Sequence, residues 1–418
     1  MKKYLLQETG KFYKANLHCH STYSDGKLTP AELKELYKSL GYSIVAYTDH
    51  DIMVPHDDLN DDSFLALHGF EVEVNERSGK PWPETKCLHM CCIGIDPENI
   101  VQPLWHREAY LFGNAPLHRN EVTFDENEPD YVRSYGSEGG SEMMQIARDK
   151  GFFITYNHPS WSLEAYPEYM GYNGMNAFEM YNGGCLAAGY ADYHPRVYDD
   201  MLMGGKKLYC IGADDNHNGA NPKSRRSDSG WAWTMIKADS LDYRTITKAL
   251  VDGQFYASEG PEIYELTFED GKVTVKCSEA DRVVCNYGVR HAEIALNDDF
   301  SPVTEATFKM DPTWKYFRIT VVAKDGKTAC NLAVENEAAY NKREAKIFAW
   351  SGIPGLKDFN IFELIYAPTR ESSYLGTVKA FDAAPAAVSI DDLKREMEAA
   401  ENKAEAEAAK AAAEAEAE

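Results

Sequence analysis

The feature that most constrains this chain is the run Leu17-His18-Cys19-His20-Ser21-Thr22-Tyr23-Ser24-Asp25-Gly26. Side chains alternate along extended backbone, so His18 and His20 share one face and Cys19 takes the other. Asp25 follows on the turn that ends the strand. Imidazole and carboxylate together suit zinc, manganese, iron and similar divalent ions. Two histidines and an aspartate are not yet a metal site; the question is whether the rest of the chain delivers further ligands to the same place.

The chain alternates strands and helices. Thr29-Pro30-Ala31-Glu32 is a capping box with proline at the first helical position, Leu33, Leu36, Tyr37 and Leu40 follow with helical spacing, and Gly41 closes the helix. A buried strand at 43–47 then runs into Thr48-Asp49-His50-Asp51, completing a βαβ unit. Further strands lead into Gly69-Phe70-Glu71, carry His89 (87–95), and end in Asn157-His158-Pro159 (152–156). Two more, at 177–181 and 208–213, follow, the last ending in Asp214-Asp215-Asn216-His217. Helices are predicted over 138–150, 192–203 and 241–251. About seven strands in this rhythm predict a closed or nearly closed β/α barrel, with its chemistry at the C-terminal strand ends. His20, His50, Glu71, His158 and His217 all fall at or just past such ends. Residues 96–136 interrupt the rhythm with Pro97, Pro103, Gly113, Pro116 and Pro129 and an acidic patch, as an insertion facing the substrate would.

From 258 the pattern becomes short alternating strands, with an Asp270-Gly271 hairpin turn. We read 258–388 as a C-terminal β-rich module, a small β-sandwich clear to about 335, with a further candidate strand at 361–365. The Ala/Glu/Lys-rich tail, 389–418, reads as a solvated helix or disordered segment. The 28 residues from Asp391 onward hold ten acidic and four basic residues, leaving −18 of the formal −24 on the rest. That balance argues against nucleic acid or an anionic membrane as the main partner. No window approaches the roughly 18 apolar residues of a membrane helix, and the N-terminus lacks a signal-peptide pattern. Nine scattered cysteines in apolar runs predict reduced, buried thiols in a cytoplasmic protein.

The full set of candidates, His18, His20, Asp25, His50, Glu71, His89, His158, Asp215 and His217, resembles in type and order the PHP (polymerase and histidinol phosphatase) family of metal-dependent hydrolases. The resemblance covers residues 12 to about 257. The stretches Asn157-His158-Pro159-Ser160-Trp161-Ser162 and Ser258-Glu259-Gly260-Pro261-Glu262-Ile263, with the β module, are similar to the branch that includes carbamate hydrolases. It implies a distorted seven-stranded, TIM-like β/α barrel (1–257) binding two to three divalent ions (Mn, Zn or Fe). His18, His20, Glu71 and Asp215 would hold one ion, Glu71 would bridge to a second on His89 and His158, and Asp25, His50 and His217 would hold the third. Glu71 competes with Glu73, and Asp215 with Asp214; Gly-x-Glu and Asp-x-His spacing favour the first of each pair.

The implied activity is that of a phosphoesterase acting on a small phosphorylated metabolite or nucleotide. A hydroxide activated by the di- or trinuclear centre would attack, with Glu71, Asp215 and His217 as its catalytic residues. Lys223, Arg225 and Arg226, on the loop after the last ligand, are candidates to grip phosphate. Asp49 and Asn157 are candidates to orient ligands, and Trp161, Trp231 and Trp233 are read as packing. The rivals are carbamate or carboxylic ester hydrolysis at the same centre, and a non-catalytic module.

Overall fold

The computed structural model describes residues 2–190, 193–311, 314 and 316–331. The candidate strand at 361–365 and the acidic tail lie outside the described residues. The elements run β1 (Lys3–Tyr4), β2 (Lys11–Asn16), α1 (Pro30–Ser39), β3 (Ile44–Tyr47), β4 (Leu65–Asn75), β5 (Cys87–Gly94), α2 (Ala115–His118), α3 (Ser137–Asp149), β6 (Phe152–Tyr156), α4 (Tyr166–Gly171) and β7 (Ala177–Asn182). They continue with α5 (Gly183–Ala188), α6 (Pro195–Met203), β8 (Tyr209–Ala213), β9 (Trp233–Ala238), α7 (Tyr243–Val251) and β10 (Phe255–Ser258). Seven strands complete the described chain: β11 (Ile263–Glu269), β12 (Lys272–Ala280), β13 (Arg282–Tyr287), β14 (Ala292–Ala295), β15 (Val303–Lys309), β16 (Phe317–Val322) and β17 (Thr328–Asn331).

Local chemistry sets the elements where expected. Thr29 Oγ1 accepts from Glu32 N–H at 3.3 Å while Glu32 Oε2 accepts from Thr29 N–H at 2.8 Å, so two of the orphan donors at the start of α1 are satisfied. Leu33 and Tyr37 on its inner face are fully buried. Asp270 and Gly271 both take positive φ, 48° and 73°, and Glu269 pairs with Lys272, which is the two-residue hairpin that an Asp-Gly pair favours.

One mixed sheet of thirteen strands organises the α/β part, in the order β14-β13-β16-β17-β10-β9-β2-β3-β4-β5-β6-β7-β8. β2, β3 and β4 run parallel, as do β6, β7 and β8, but β5 is antiparallel to both its neighbours. The ladder is open, since β8 has only β7 beside it. The expected closed barrel is therefore not formed as a continuous ladder. The segments that extend β2 and β8 nevertheless meet: Asp215 N–H donates to His18 O (3.0 Å) and His20 N–H to Asn216 O (3.1 Å).

The concave face is layered. Ile44, Ala46, Leu65, Leu67, Ile93, Phe153, Ala177 and Ile211 pack into one apolar cluster. Moving in steps of two toward the other end of these strands gives Glu71, Cys91, His89, Thr155 and Glu179, on the same face. An apolar floor thus carries a buried polar layer. Leu88, Met90, Cys92, Phe70 and Val72, on the opposite face, pack with α3 residues Met143 and Met144.

The β-rich region is a sandwich. The sheet β1-β11-β12-β15 faces the strands β14-β13-β16-β17, and Leu6, Leu266, Val275, Val283, Ile319 and Val321 are buried between them. Through β10 the second sheet continues without a break into β9 and β2. All nine cysteines are buried and none forms a disulfide. No helix among the described residues is long and apolar enough to cross a membrane.

Arg318 on β16 grips Asp199 of α6 with both Nε (2.9 Å) and Nη2 (2.8 Å) while only 3 % exposed. Removing one partner of a buried pair leaves an uncompensated charge. Asp199→Ala is expected to cost about 3 kcal/mol in equilibrium denaturation, and the double variant Asp199→Leu/Arg318→Met less than that.

Candidate metal centre

Each candidate ligand reaches the polar layer from a different element. His18 and His20 stand on the extension of β2, fixed by Cys19, whose N–H donates to Thr48 Oγ1 (3.0 Å) and whose side chain is buried against Leu33, Tyr37 and Val45. His50 follows β3, Glu71 lies within β4, His158 follows β6, and Asp215 and His217 follow β8. His89 is near the start of β5 rather than past its end, because β5 runs the other way; the register sets His89 opposite Glu73 and Cys91 opposite Glu71.

Glu71 is the hub. Its Oε1 lies 3.0 Å from His89 Nδ1, 3.2 Å from His18 Nε2 and 3.3 Å from His158 Nε2. Its Oε2 lies 3.2 Å from His50 Nδ1 and 3.4 Å from His20 Nε2. Asp215 Oδ1 sits 3.1 Å from His20 Nε2 and 3.3 Å from His18 Nε2. Asp25 Oδ2 is 3.2 Å from His217 Nε2 and 3.9 Å from His50 Nε2. All nine predicted ligands come together. Among the described residues, overlapping groups of ligand atoms close enough for one ion include His20 with Asp25, His50 and His217; His18 with His20 and Asp215; and His50 with Glu71 and His89.

These atoms fit cations better than they fit one another. His18 Nε2 and His20 Nε2 are 3.1 Å apart, and two imidazole nitrogens pointed at each other need something positive between them. Glu71 Oε2, His50 Nδ1 and His89 Nε2 are buried with no hydrogen-bond partner; leaving such atoms bare costs roughly 1–3 kcal/mol each. Although His50 Nδ1 is 3.2 Å from Glu71 Oε2, the angles do not make a hydrogen bond.

Electrostatics say the same. Burial alone would push His18 and His20 down, but Asp215, Glu71 and neighbouring groups outweigh it and hold both well above the usual 6.5. Burial also opposes protonation of His89, and Glu71 overcomes it. His50 goes the other way, to about 3, through burial and then the positive charge of His20. Burial would raise Glu71, yet His18, His89 and His50 keep it well below the carboxylate range. A divalent ion bound here would compete with protons for these nitrogens.

Around this core other residues fix orientation. Asn157 donates to Glu71 Oε1 (3.2 Å) and Cys91 Sγ (3.1 Å) and is itself held by Thr155 Oγ1 (2.7 Å). Asp49 takes no part in the cluster; it accepts from Ser21 and Ser24, backbone and hydroxyl both, and so shapes the turn that presents Asp25. Asp214 is the structural member of its pair, accepting three backbone N–H groups, from Gly230, Trp231 and Ala232. Glu179 was missed by sequence reasoning. It is fully buried, with Oε1 2.9 Å from His18 Nδ1 and Oε2 bound by Asn182. A glutamate two residues after Ala177 on a buried strand was the available signal. His158 and Asp215 both hold positive φ, 24° and 50°, in the strained backbone that functional residues often keep.

The centre opens into a cleft of about 480 Å³. Arg226 lines it, whereas Lys223 and Arg225 are exposed on the same loop and do not. Trp161 departs from the packing expectation in part: it packs edge-on against His89 (5.1 Å) and His158 (5.4 Å) and also walls the cleft, with Trp82 beyond it. Trp231 and Trp233 are structural, the first bonded to Ser227 O, the second covered by Lys14.

Fold and site together define an α/β protein with a buried histidine–carboxylate cluster whose residues could hold divalent metal. No family model matches the chain, and no curated protein does. Among solved structures, one match is a two-domain protein containing a predicted PHP-like metal-dependent phosphoesterase from Bacteroides vulgatus. It shows 16 % identity over 79 % of this chain and 98 % of that one, with a TM-score of 0.36. A second is a candidate metal-dependent phosphoesterase from Bifidobacterium adolescentis (17 %, 52 % and 92 %, TM-score 0.34). A third is an amidohydrolase from Chromobacterium violaceum with bound sulfate and no metal (17 %, 49 % and 87 %, TM-score 0.27). With TM-scores this low, none of the three decides what the site does; its own residues do.

Two outcomes test the centre. Adding Mn²⁺ or Zn²⁺ to chelator-treated protein at pH 7 should release protons, read by calorimetry in buffers of different ionisation enthalpy. Because His18, His20 and His89 are raised, the stripped protein has their full ion-pair stability below pH 6.5 and loses it as pH climbs through the raised values; bound metal should remove that alkaline loss. Glu179→Gln should weaken metal binding by about 10- to 100-fold, since it frees the His18 ring.

Proposed function

We propose that the chain is a PHP-type metal-dependent hydrolase, and that it cleaves a phosphoester of a small molecule. The observation that carries this reading is the sharing of Glu71 among five imidazoles, with Asp215 and Asp25 closing overlapping ligand groups on either side. His18, His20, Glu71 and Asp215 would hold one ion, Glu71 with His89 and His158 a second, and Asp25, His50 and His217 a third. Such ions supply a water acidic enough to attack at neutral pH and positive charge for the oxygens that gain it.

The chain's own residues do the rest. Glu179 and Asn157 hold the His18 and Glu71 side chains in place. Asp228 accepts from the backbone N–H of His217 (2.7 Å) and Asn218 (2.8 Å), which fixes the loop carrying His217 and Arg226 over the cleft. His217, with a side chain 36 % exposed, is the ligand nearest to solvent, and its Nδ1 is tied to Asp215 O at 3.0 Å, leaving Nε2 toward Asp25. Arg226 is the cation placed to meet an anionic substrate, and Trp161 keeps water off His89 and His158. We place the protein in the cytoplasm, on the strength of its reduced cysteines alone.

A second reading keeps the centre and changes the bond. Trp82, Phe112 and Trp161 give the cleft an aromatic wall that suits an uncharged aryl carbamate or carboxylic ester. A panel pairing p-nitrophenyl phosphates with aryl carbamates at equal Mn²⁺, Zn²⁺ or Fe²⁺ loading separates the two. Turnover of the phosphates is expected, dependent on added metal and reduced at least about a hundredfold in His20→Ala and Asp215→Ala. Activity that persists in metal-free Asp215→Ala would sink the mechanism.

A further inference from the structure

Beside the catalytic cleft lies a second hollow of about 320 Å³ that shares Glu73 and Phe112 with it. Phe112 comes from the 96–136 insertion, is half exposed, and its ring stands 5.4 Å from that of His50. The same insertion delivers Arg133 to the hollow's wall, 4 % exposed, and Arg77 lines it from the loop after β4.

The Arg133 guanidinium is used on one side only. Nη1 donates to Asp51 Oδ1 and to Glu73 O (2.8 Å), and the Tyr110 ring covers one face with Cζ 4.5 Å from its centroid. The opposite edge, Nε and Nη2, has no partner among the described residues, and Nε is fully buried. That edge is the one that grips Asp199 in Arg318, where two parallel N–H groups take both oxygens of a carboxylate. Of the carboxylates bordering the hollow, Asp51 is already bound to Nη1, and Glu73 is engaged by Asn75 Nδ2 (2.5 Å) and lies 3.8 Å from His89 Nε2.

We propose that the free edge of Arg133, with Arg77, binds a second oxyanion of the substrate, a carboxylate or a phosphate, remote from the bond that is cleaved. Phe112 then separates the two anionic groups, and the substrate class narrows to phosphoesters that carry another negative group. This substrate assignment rests on the phosphoesterase reading; the anion-binding edge does not.

The test has two arms. In the first, malonate and inorganic phosphate are titrated separately into chelator-treated protein by calorimetry. Binding of one or both is expected, the tighter naming the oxyanion. It should weaken about tenfold in Arg133→Lys, which keeps the charge opposite Asp51 but lacks the fork, and also in the surface variant Arg77→Ala; circular dichroism checks that both fold. Absence of binding in the unaltered protein, or equal affinity in both variants, overturns the proposal. In the second arm, metal-loaded enzyme is given 3-phosphoglycerate, glycerol 1,3-bisphosphate and glycerol 3-phosphate. In Arg133→Lys the KM for the first two should rise about tenfold more than that for the third; an equal change overturns the substrate assignment. If no phosphoester is turned over while the Arg133-dependent binding stands, the phosphoesterase reading fails and the anion edge survives.

Discussion

The Glu71 carboxylate is the constraint on which this structure turns. A buried carboxylate is tolerated only when compensated, and here five imidazoles from four other places in the chain converge on its two oxygens. Their arrival depends on the sheet beneath. Strand spacing of about 4.8 Å sets neighbouring side chains close enough to share one ion, and the apolar floor of leucine, isoleucine and alanine below holds the strands in register. A slip of one residue in β4 would turn Glu71 toward Met143 and expose Phe70 to the site. Fold specificity and site chemistry are therefore the same requirement in this region.

The arrangement also explains the tolerance of left-handed backbone at Asp51, His158 and Asp215. Each costs about 1 kcal/mol or more, and each aims a polar group that a relaxed turn would direct elsewhere. The insertion between β5 and β6 belongs to the same design. Gln102 bonds both Met53 N and Asp51 O, and Asn114 N–H donates to Ser24 O (2.6 Å), so the long connection is stitched to the turns that carry His50 and Asp25.

Much of this was legible in the residues. The Thr29 capping box, the Asp270-Gly271 turn and the two-residue spacing of His18 and His20 act locally, and each appears where local physics places it. The convergence of the nine candidate ligands was also legible, because metal-binding residue types at successive strand ends make a pattern. What could not be read is non-local. The reversed direction of β5 depends on which neighbours it finds, and strands look alike in either direction. β1 joins the far sheet of the sandwich though it opens the chain. β9, which seats β2 beside β10, carries too mixed a pattern to declare itself. Glu179 and Arg133 are ordinary charged residues until the fold buries them, and of the three basic residues after His217 only Arg226 is turned into the cleft.

The meeting of β2 and β8 has one further implication. Asn16 and Asn216 are 200 residues apart along the chain yet share a hydrogen bond, and the ligands on either side of that seam belong to the first and last segments of the α/β region. An ion held jointly by His18, His20 and Asp215 would be a clasp across a very long loop, whose closure entropy grows only with the logarithm of its length. The sheet's edge is open at β8, so this seam is joined by a few hydrogen bonds rather than by a full ladder, and a cation bound there would add to them.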